Sequence, residues 1–155
     1  MLEMMRALLV FLTLLTFSVG GAWAQVSETM DAIIGTKAIS VSQAAYVVFV
    51  ASGKLAADAT PEQASTLAQT LGWFDAGTNP ARLLRSSEYA FLLTRSFALT
   101  GGLMSWLFPS PRYAYRDFVA RGVFSADGDP DDRLSGPEAV RILGQVMDSL
   151  PGGRS

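Results

Sequence analysis

One segment of this chain occurs twice, fifty positions apart and without a gap. Residues 71–97 align with residues 121–147, and a shorter copy, residues 39–48, aligns with residues 84–93 at a displacement of forty-five. The identical pairs of the two longer copies are Gly72 and Gly122, Phe74 and Phe124, Ala76 and Ala126, Pro80 and Pro130, Leu84 and Leu134, Glu88 and Glu138, and Leu93 and Leu143. Because a repeated unit buries its apolar face against its neighbours, the pattern predicts a repeat domain. Such domains usually bind a partner rather than catalyse.

Each copy ends in a stretch with the apolar spacing of an amphipathic helix. The spacing is clearest in the third copy, and the equivalent positions of the other two copies are mainly apolar, with Ser96 as the polar exception in the second copy. These positions are Ala139, Ile142, Leu143, Val146 and Met147; Tyr89, Leu92, Leu93 and Phe97; and Ala44, Val47, Val48 and Ala51. Ser40 with Gln43 and Ser135 with Glu138 fit a capping box at the helix start. Arg85 holds the cap position in the second copy, so we expect Ser86 to cap that helix.

A second helix precedes the terminal helix in the two longer copies. One opens at Pro61 and stops at Gly72, and the other ends at Gly122. Glycine after the last helical turn is typical of a left-handed C-terminal cap. The sequence therefore predicts an all-α fold of three degenerate helix-loop-helix repeats, at about residues 36–55, 60–99 and 108–149, within one domain at 25–150. We expect the apolar link from Leu99 to Phe108 to pack across the repeats, and the alternative is an apolar surface that faces a partner or a membrane.

The chain begins with the pattern of a secretory signal peptide. A basic residue, Arg6, precedes an apolar run at 7–19 and the small-residue site Ala22-Trp23-Ala24. The apolar run is shorter than the roughly 20 residues that span a bilayer. We therefore predict a signal peptide at 1–24, export to the periplasm or cell envelope, and no transmembrane segment in the mature chain. The tail at 151–155 is predicted to be flexible.

Composition excludes several classes of function. The chain contains neither cysteine nor histidine, which removes disulfides, Ser-His-Asp catalysis and ordinary zinc sites. Its net charge of −2 argues against a nucleic-acid partner. A carboxylate pair within residues 127–132 is the enzyme option that remains, and it is the least favoured, so we predict a non-enzymatic protein without a cofactor. Positive charge is almost all arginine, which binds carboxylate and phosphate in a two-pronged manner.

The third copy resembles the S-layer homology module. That module has a first helix ending in Gly-Ile, a loop rich in Gly or Asp with Pro, and the motif Leu-Thr-Arg-Ala-Glu before an apolar helix. The matching stretches of the third copy are Arg121-Gly122-Val123-Phe124, Asp129-Pro130 and Leu134-Ser135-Gly136-Pro137-Glu138. The second copy fits the later half of the module at 84–95, and the first copy retains the final helix from Ile39 to about Ser52.

The resemblance implies an arrangement and a function. Modules of this family occur in threes around a pseudo-threefold axis and attach proteins to peptidoglycan or to acidic polysaccharide linked to it. It implies a cell-wall polysaccharide or an envelope protein as the partner. Val41, Ser86 and Gly136 stand where the family motif has its arginine. The remaining candidates for ligand binding, in the groove between repeats, are Arg85, Glu88, Arg95, Arg112 and Tyr113.

An alternative interpretation is a calcium site in the acidic loop of the third copy. Residues 127–138 resemble an EF-hand loop, with oxygen-bearing side chains at loop positions that bind calcium. The candidate ligands are Asp127, Asp129, Asp131 and Glu138. Asp132 stands where the loop normally needs glycine, and the second copy has no acidic residues at Thr78 to Arg82, its equivalent loop. Calcium therefore does not explain the repeat as a whole, and the structural alternative is a solvated turn.

Overall fold

The chain is described by a computed structural model that covers residues 20–102 and 107–150, with side chains from residue 27 onward. The first nineteen residues of the predicted signal peptide and the predicted flexible tail at 151–155 lie outside the described residues. So does the stretch 103–106 of the apolar link.

Within these ranges the chain forms six α-helices and no strand, which confirms the predicted all-α fold. The helices are α1 (Gly20–Ile34), α2 (Val41–Ala51), α3 (Pro61–Thr70), α4 (Ser86–Ser96), α5 (Pro111–Ala120) and α6 (Gly136–Ser149). None of these helices combines the length and the apolar character that a bilayer crossing requires.

The six helices pack as three pairs around a shared centre. Helix α2 packs on α3, α4 on α5, and α6 on α1, and we call each pair a lobe. Helices α2, α4 and α6 also contact one another and form the centre. Their apolar stripes supply much of the core, in which Tyr46, Tyr89, Phe49 and Ile142 are almost completely buried. The lobes of α2 with α3 and of α4 with α5 each combine helices from copies that are adjacent in the sequence, and the third lobe joins the two ends of the described chain.

The helix starts follow the predicted capping pattern with one exception. Ser40 Oγ accepts the amide of Gln43, whose side chain accepts the amide of Ser40. Ser135 Oγ accepts the amide of Glu138, which is one of the two hydrogen bonds of the capping box predicted there. The prediction that Ser86 caps α4 was wrong, because Ser86 is already the first helical residue and its hydroxyl donates to the Asp132 carbonyl, 3.0 Å away. That contact to a neighbouring copy could not be read from local sequence.

The loops of the second and third copies have the same internal hydrogen bonds, shifted by fifty residues. Asn79 Oδ1 accepts the amide of Ala81, and Asp129 Oδ1 accepts the amide of Asp131. The Thr78 amide donates to the Asp75 carbonyl, and the equivalent Gly128 amide donates to that of Ser125. In the same way, the Trp73 amide donates to the Ala68 carbonyl and the Val123 amide to that of Phe118. Gly72 and Gly122, which follow α3 and α5, have φ of 69° and 72°, as the predicted left-handed caps require.

Backbone hydrogen bonds join the segments that precede α2, α4 and α6 in a closed circuit. Val41 donates to the Arg82 carbonyl, Ser86 to Asp132, and Gly136 to Thr36, with N···O distances of 2.8–2.9 Å. Within the same circuit, Leu84 donates to Ile39 and Ile39 to Leu134. Ile39, Leu84 and Leu134 are equivalent positions of the three copies, and all three are buried.

Two parts of the fold differ from the sequence analysis. Helix α1 precedes the point near residue 36 where the first copy was expected to begin, and it packs on α6. The predicted cleavage point after Ala24 falls inside this helix. In the link, Leu99 packs against the core as expected, but Leu107 and Phe108 are 48% and 60% exposed. That end of the link therefore does not pack across the repeats.

Candidate functional site

A cleft of about 820 Å³ opens in the lobe formed by α4 and α5. One wall is the exposed side of α4, and the opposite wall is the start of α5. Trp73, from the loop after α3, closes one end. The lining residues are Trp73, Phe91, Thr94, Arg95, Ala98, Leu99, Thr100, Gly101, Pro109, Ser110 and Ala114. The lining is mainly apolar with a few polar groups, the usual make-up of a site for a small molecule or a single sugar unit.

Arg95 is held over two aromatic rings at this cleft. Its guanidinium carbon lies 6.0 Å from the centre of the Trp73 ring and 5.8 Å from that of Phe91. Phe49 packs edge-on against Trp73 at 5.4 Å and so fixes that ring from the core side. A cation–π contact holds the guanidinium near the two rings without neutralising its charge. No carboxylate in the described parts of the chain forms an ion pair with Arg95, and its side chain is exposed.

The rim of the cleft is tied to α5. The amide of Gly102 donates to Asp117 Oδ2 at 3.1 Å, and Arg121 donates to the Thr100 carbonyl. On the α4 side, the amide of Leu99 donates to the Thr94 carbonyl, and Ala98 takes a φ of 49° to turn the chain out of the helix. The described rim is therefore positioned by the fold rather than by a ligand.

Glu88, a predicted ligand-binding residue, is occupied by structural contacts. Both of its carboxylate oxygens accept from Arg82, at 2.9 and 3.0 Å, and Oε2 also accepts the amide of Arg85. The carboxylate side chain is only 17% exposed. It lines a smaller depression of about 190 Å³ that shares Trp73 and Phe91 with the main cleft. Its main role is to hold the start of α4 to the preceding loop.

The other candidates are spread over the surface. Arg85 is more than half exposed and pairs with Asp131 at 3.2 Å, so it links the second and third copies. Tyr113 lines an open depression with Leu107 and Phe108, beside the main cleft. Arg112 is exposed on the first turn of α5 and lines neither. Of the five predicted residues, the structure therefore places Arg95 in the cleft, Glu88 and Tyr113 next to it, and Arg85 and Arg112 outside it.

The three positions that correspond to the arginine of the S-layer homology motif are buried. Val41 and Ser86 are 1% and 4% exposed. At Gly136, a Cβ would lie 1.8 Å from the Ile33 carbonyl oxygen, so no side chain fits without a backbone shift. These residues lie in the backbone circuit that joins the copies. An arginine there has no room to reach a ligand, which explains why the small residues are compatible with this fold.

The acidic loop forms a turn that is stabilised by its own carboxylates. Asp129 Oδ1 accepts the amide of Asp131, and Asp132 Oδ2 accepts the amide of Asp129. Asp131 pairs with Arg85, and the amide of Asp127 donates to Ser125. Among the residues that the structure describes, no three acidic side chains converge as a group suited to a metal ion. Calcium binding by Asp127, Asp129, Asp131 and Glu138 stays a prediction.

Among the residues that the structure describes, three buried tyrosines have shifted pKa values. Burial raises the pKa of Tyr46, Tyr89 and Tyr115 above the ordinary value of 10.0. Nearby carboxylates add to the effect, from Asp58 at Tyr46 and from Asp132, Asp129 and Glu138 at Tyr115. The hydroxyls of all three tyrosines are therefore protonated at neutral pH, and none of these residues lines the cleft.

Sequence reasoning missed Trp73, Phe91 and Thr94. Trp73 follows the glycine that ends α3, where the third copy has Val123, and Phe91 lies one turn before Arg95 on α4. One feature of the sequence could have indicated the cleft, because the second and third copies are fifty residues apart whereas the first and second are only forty-five apart. It places five additional residues between α4 and α5, and part of the cleft rim comes from that connection.

A comparison of the chain with known protein families, with characterised proteins and with solved structures finds no match. The resemblance to the S-layer homology module therefore stays a prediction from the sequence.

Proposed function

We propose that this protein is a non-enzymatic binding module of the cell envelope that holds an acidic wall polysaccharide in the cleft beside Arg95. The supporting observation is the cation–π contact of the Arg95 guanidinium with Trp73 and Phe91, at 6.0 and 5.8 Å from the ring centres. An aromatic ring offers an apolar surface to a sugar ring, and arginine offers two parallel donors to a carboxylate. A sugar that carries an acidic group uses both features at once.

We also infer that the three copies are arranged about a pseudo-threefold axis, as in S-layer homology modules. The closed circuit of backbone hydrogen bonds through Val41, Ser86 and Gly136 supports this arrangement. The pairing of α2 with α3, α4 with α5 and α6 with α1 supports it as well, because each lobe then contains equivalent helices. In this arrangement α1 is the first helix of the first copy.

The proposed ligand contact differs from that of the family motif. In this chain the motif positions are buried in the circuit between copies, so they form structure rather than a binding surface. Arg95 lies more than two helical turns further along α4, at the open side of a lobe. We therefore assign recognition of an acidic polymer to Arg95, which lies on the same helix as the motif position Ser86. Unlike that position, Arg95 contacts two aromatic rings.

Co-sedimentation with isolated cell walls that retain their acidic polymers tests the proposal. The wild-type protein should sediment with the walls, and Arg95→Gln should lower its affinity by about tenfold or more, the usual effect of removing a charged hydrogen-bond donor. Arg141→Gln is the matched control, because it removes one exposed arginine from α6, outside the cleft. Equal losses in the two variants would indicate non-specific charge attraction, and no sedimentation of the wild type would reject the proposed function.

A further inference from the structure

We infer that the cleft is the single ligand site of the described domain, so that each chain takes one acidic sugar unit although the sequence is repeated three times. This inference rests on the proposed function for the identity of the ligand. The inference is supported by a comparison of the three lobes. In one lobe the space equivalent to the cleft is filled, and in another the positions equivalent to Trp73, Phe91 and Arg95 do not place a guanidinium over aromatic rings.

In the lobe of α2 and α3 the equivalent space is filled by side chains. Phe49 stands at the position of Thr94 and is completely buried, and Val50 stands at that of Arg95. Tyr46 replaces Phe91, and its hydroxyl donates to the Ala57 carbonyl at 2.8 Å, which ties the helix to its following loop. The space left beside Tyr46 is about 50 Å³, against about 820 Å³ in the cleft. That space is too small for a sugar ring.

The length of the connection between the two helices accounts for part of this difference. Residues 52–60 join α2 to α3, whereas residues 97–110 join α4 to α5, which is five residues more. The longer connection places Thr100 and Gly101 along the edge of the cleft. The Gly102 amide donates to Asp117, and Arg121 donates to the Thr100 carbonyl, so both bonds hold the edge against α5. The wider opening is therefore a feature of one lobe and is not a property of the repeat.

In the lobe of α6 and α1 the recognition groups are absent from the equivalent positions. Arg141 replaces Phe91 and Gln145 replaces Arg95, and the two bind each other, with Nη1 of Arg141 2.9 Å from Oε1 of Gln145. Val123 stands where the second copy has Trp73. No aromatic surface lies beneath a free guanidinium at these positions. The stacked arrangement is confined to the lobe of α4 and α5 in the described part of the chain.

Isothermal titration calorimetry with soluble fragments of the acidic wall polymer, each reduced to one acidic repeat unit, tests the inference. We expect one fragment per chain. Two variants should each weaken binding by about tenfold or more. Thr94→Phe introduces into the cleft the residue type that fills the equivalent position, Phe49, in the first copy, and Arg95→Gln removes the charged donor. The control Gln145→Ala changes the position in α6 equivalent to Arg95 and should leave both the affinity and the stoichiometry unchanged. Thermal melting by circular dichroism checks that each variant is folded, and Arg95→Gln serves if Thr94→Phe is not.

The outcomes separate the inference from the function on which it rests. Two or three fragments per chain, or a loss of affinity in Gln145→Ala, would overturn the single-site inference while the proposed function stands. Binding that is unchanged in both Thr94→Phe and Arg95→Gln would also overturn it, since the ligand would then occupy another surface. Absence of binding by the wild-type protein to the fragments and to intact walls would reject the proposed function and this inference together.

Discussion

The hydroxyl of Tyr89 donates a 2.8 Å hydrogen bond to the carbonyl of Ala139, the residue at its own position in the next copy. The two residues lie on α4 and α6, and both are completely or almost completely buried. A single polar contact thus crosses the centre of the domain between equivalent points of two copies. At this position the second copy supplies the hydroxyl of a tyrosine, and the third copy supplies a backbone carbonyl.

Replacement of Tyr89 by Phe should destabilise the protein by about 1 kcal/mol, the usual net contribution of one hydrogen bond. The ring remains in place, so the loss reports the hydroxyl alone. Urea unfolding followed by circular dichroism measures the change, and the slope of the free energy against urea should stay the same because the buried area is unchanged. A stability equal to that of the wild type would mean that the hydrogen bond adds nothing in the folded protein.

The buried tyrosines should make the protein less stable at alkaline pH. Because the pKa of Tyr89 is raised in the folded state, its contribution is complete below the ordinary pKa of 10.0 and is lost as pH rises above it. Each such group reduces the free energy of unfolding by up to about 1.4 kcal/mol per pH unit in that range. Urea unfolding at several pH values from 9 to 11 should show a shallower decline in Tyr89→Phe than in the wild type. Parallel declines would contradict the assignment to Tyr89.

The elements of this fold were predictable where the signal was local. The apolar spacing of Ala139 to Met147 predicted α6, and Gly72 and Gly122 correctly marked the ends of α3 and α5. Helix α1 was missed because part of its sequence reads as a signal peptide. The contacts of Ser86 with Asp132 were missed because they join residues forty-six positions apart.

The candidate site was predictable only in part for the same reason. The sequence analysis singled out arginine as a residue type suited to acidic ligands, but Arg95 becomes a distinct candidate only through its two aromatic neighbours. Trp73 lies close to Arg95 because the loop after α3 packs on α4. The repeat spacing and the helical spacing of apolar residues do not predict that contact. Glu88 was selected by its recurrence in the repeat. In the structure it accepts the amide of Arg85 at the start of α4, as Gln43 accepts that of Ser40 at the start of α2.

Gly136 should tolerate no side chain, whereas Gly144 in the same helix should. A Cβ at Gly136 meets the Ile33 carbonyl oxygen at 1.8 Å, so Gly136→Ala forces apart the ends of α1 and α6 and should cost about 1–3 kcal/mol, as overpacking does. At Gly144 nothing lies within 4 Å, and Gly144→Ala should stabilise the helix by up to about 1 kcal/mol. Thermal melting of the two variants should shift in opposite directions. A shift of the same sign in both would show that the contact with Ile33 relaxes at little cost.

Removal of the Ser96 hydroxyl should stabilise the protein. Ser96 is buried on α4, and its Oγ has no hydrogen-bond partner among the described residues. A buried polar group without a partner costs about 1–3 kcal/mol, so Ser96→Ala should raise the free energy of unfolding by about 1 kcal/mol. The control Ser86→Ala removes a hydroxyl that is bonded to Asp132 and should lower it by a similar amount. Urea unfolding distinguishes the two, and a loss of stability in Ser96→Ala would mean that its hydroxyl is satisfied.

Asp129 should be replaceable by asparagine but not by alanine. Asn79 forms the same turn in the second copy, with its Oδ1 accepting the amide two residues on, so Asp129→Asn preserves the bond to Asp131. Asp129→Ala removes that bond and should cost about 1 kcal/mol. Melting curves recorded with millimolar calcium and with chelator extend the test to the alternative function. If Asp127, Asp129, Asp131 and Glu138 bind calcium, the wild type should melt at a higher temperature with calcium, and Asp129→Asn should weaken that rise because a charged ligand is lost. If the loop is only a turn and binds no calcium, calcium should leave both melting temperatures unchanged. Asp129→Asn should then have the same melting temperature as the wild type.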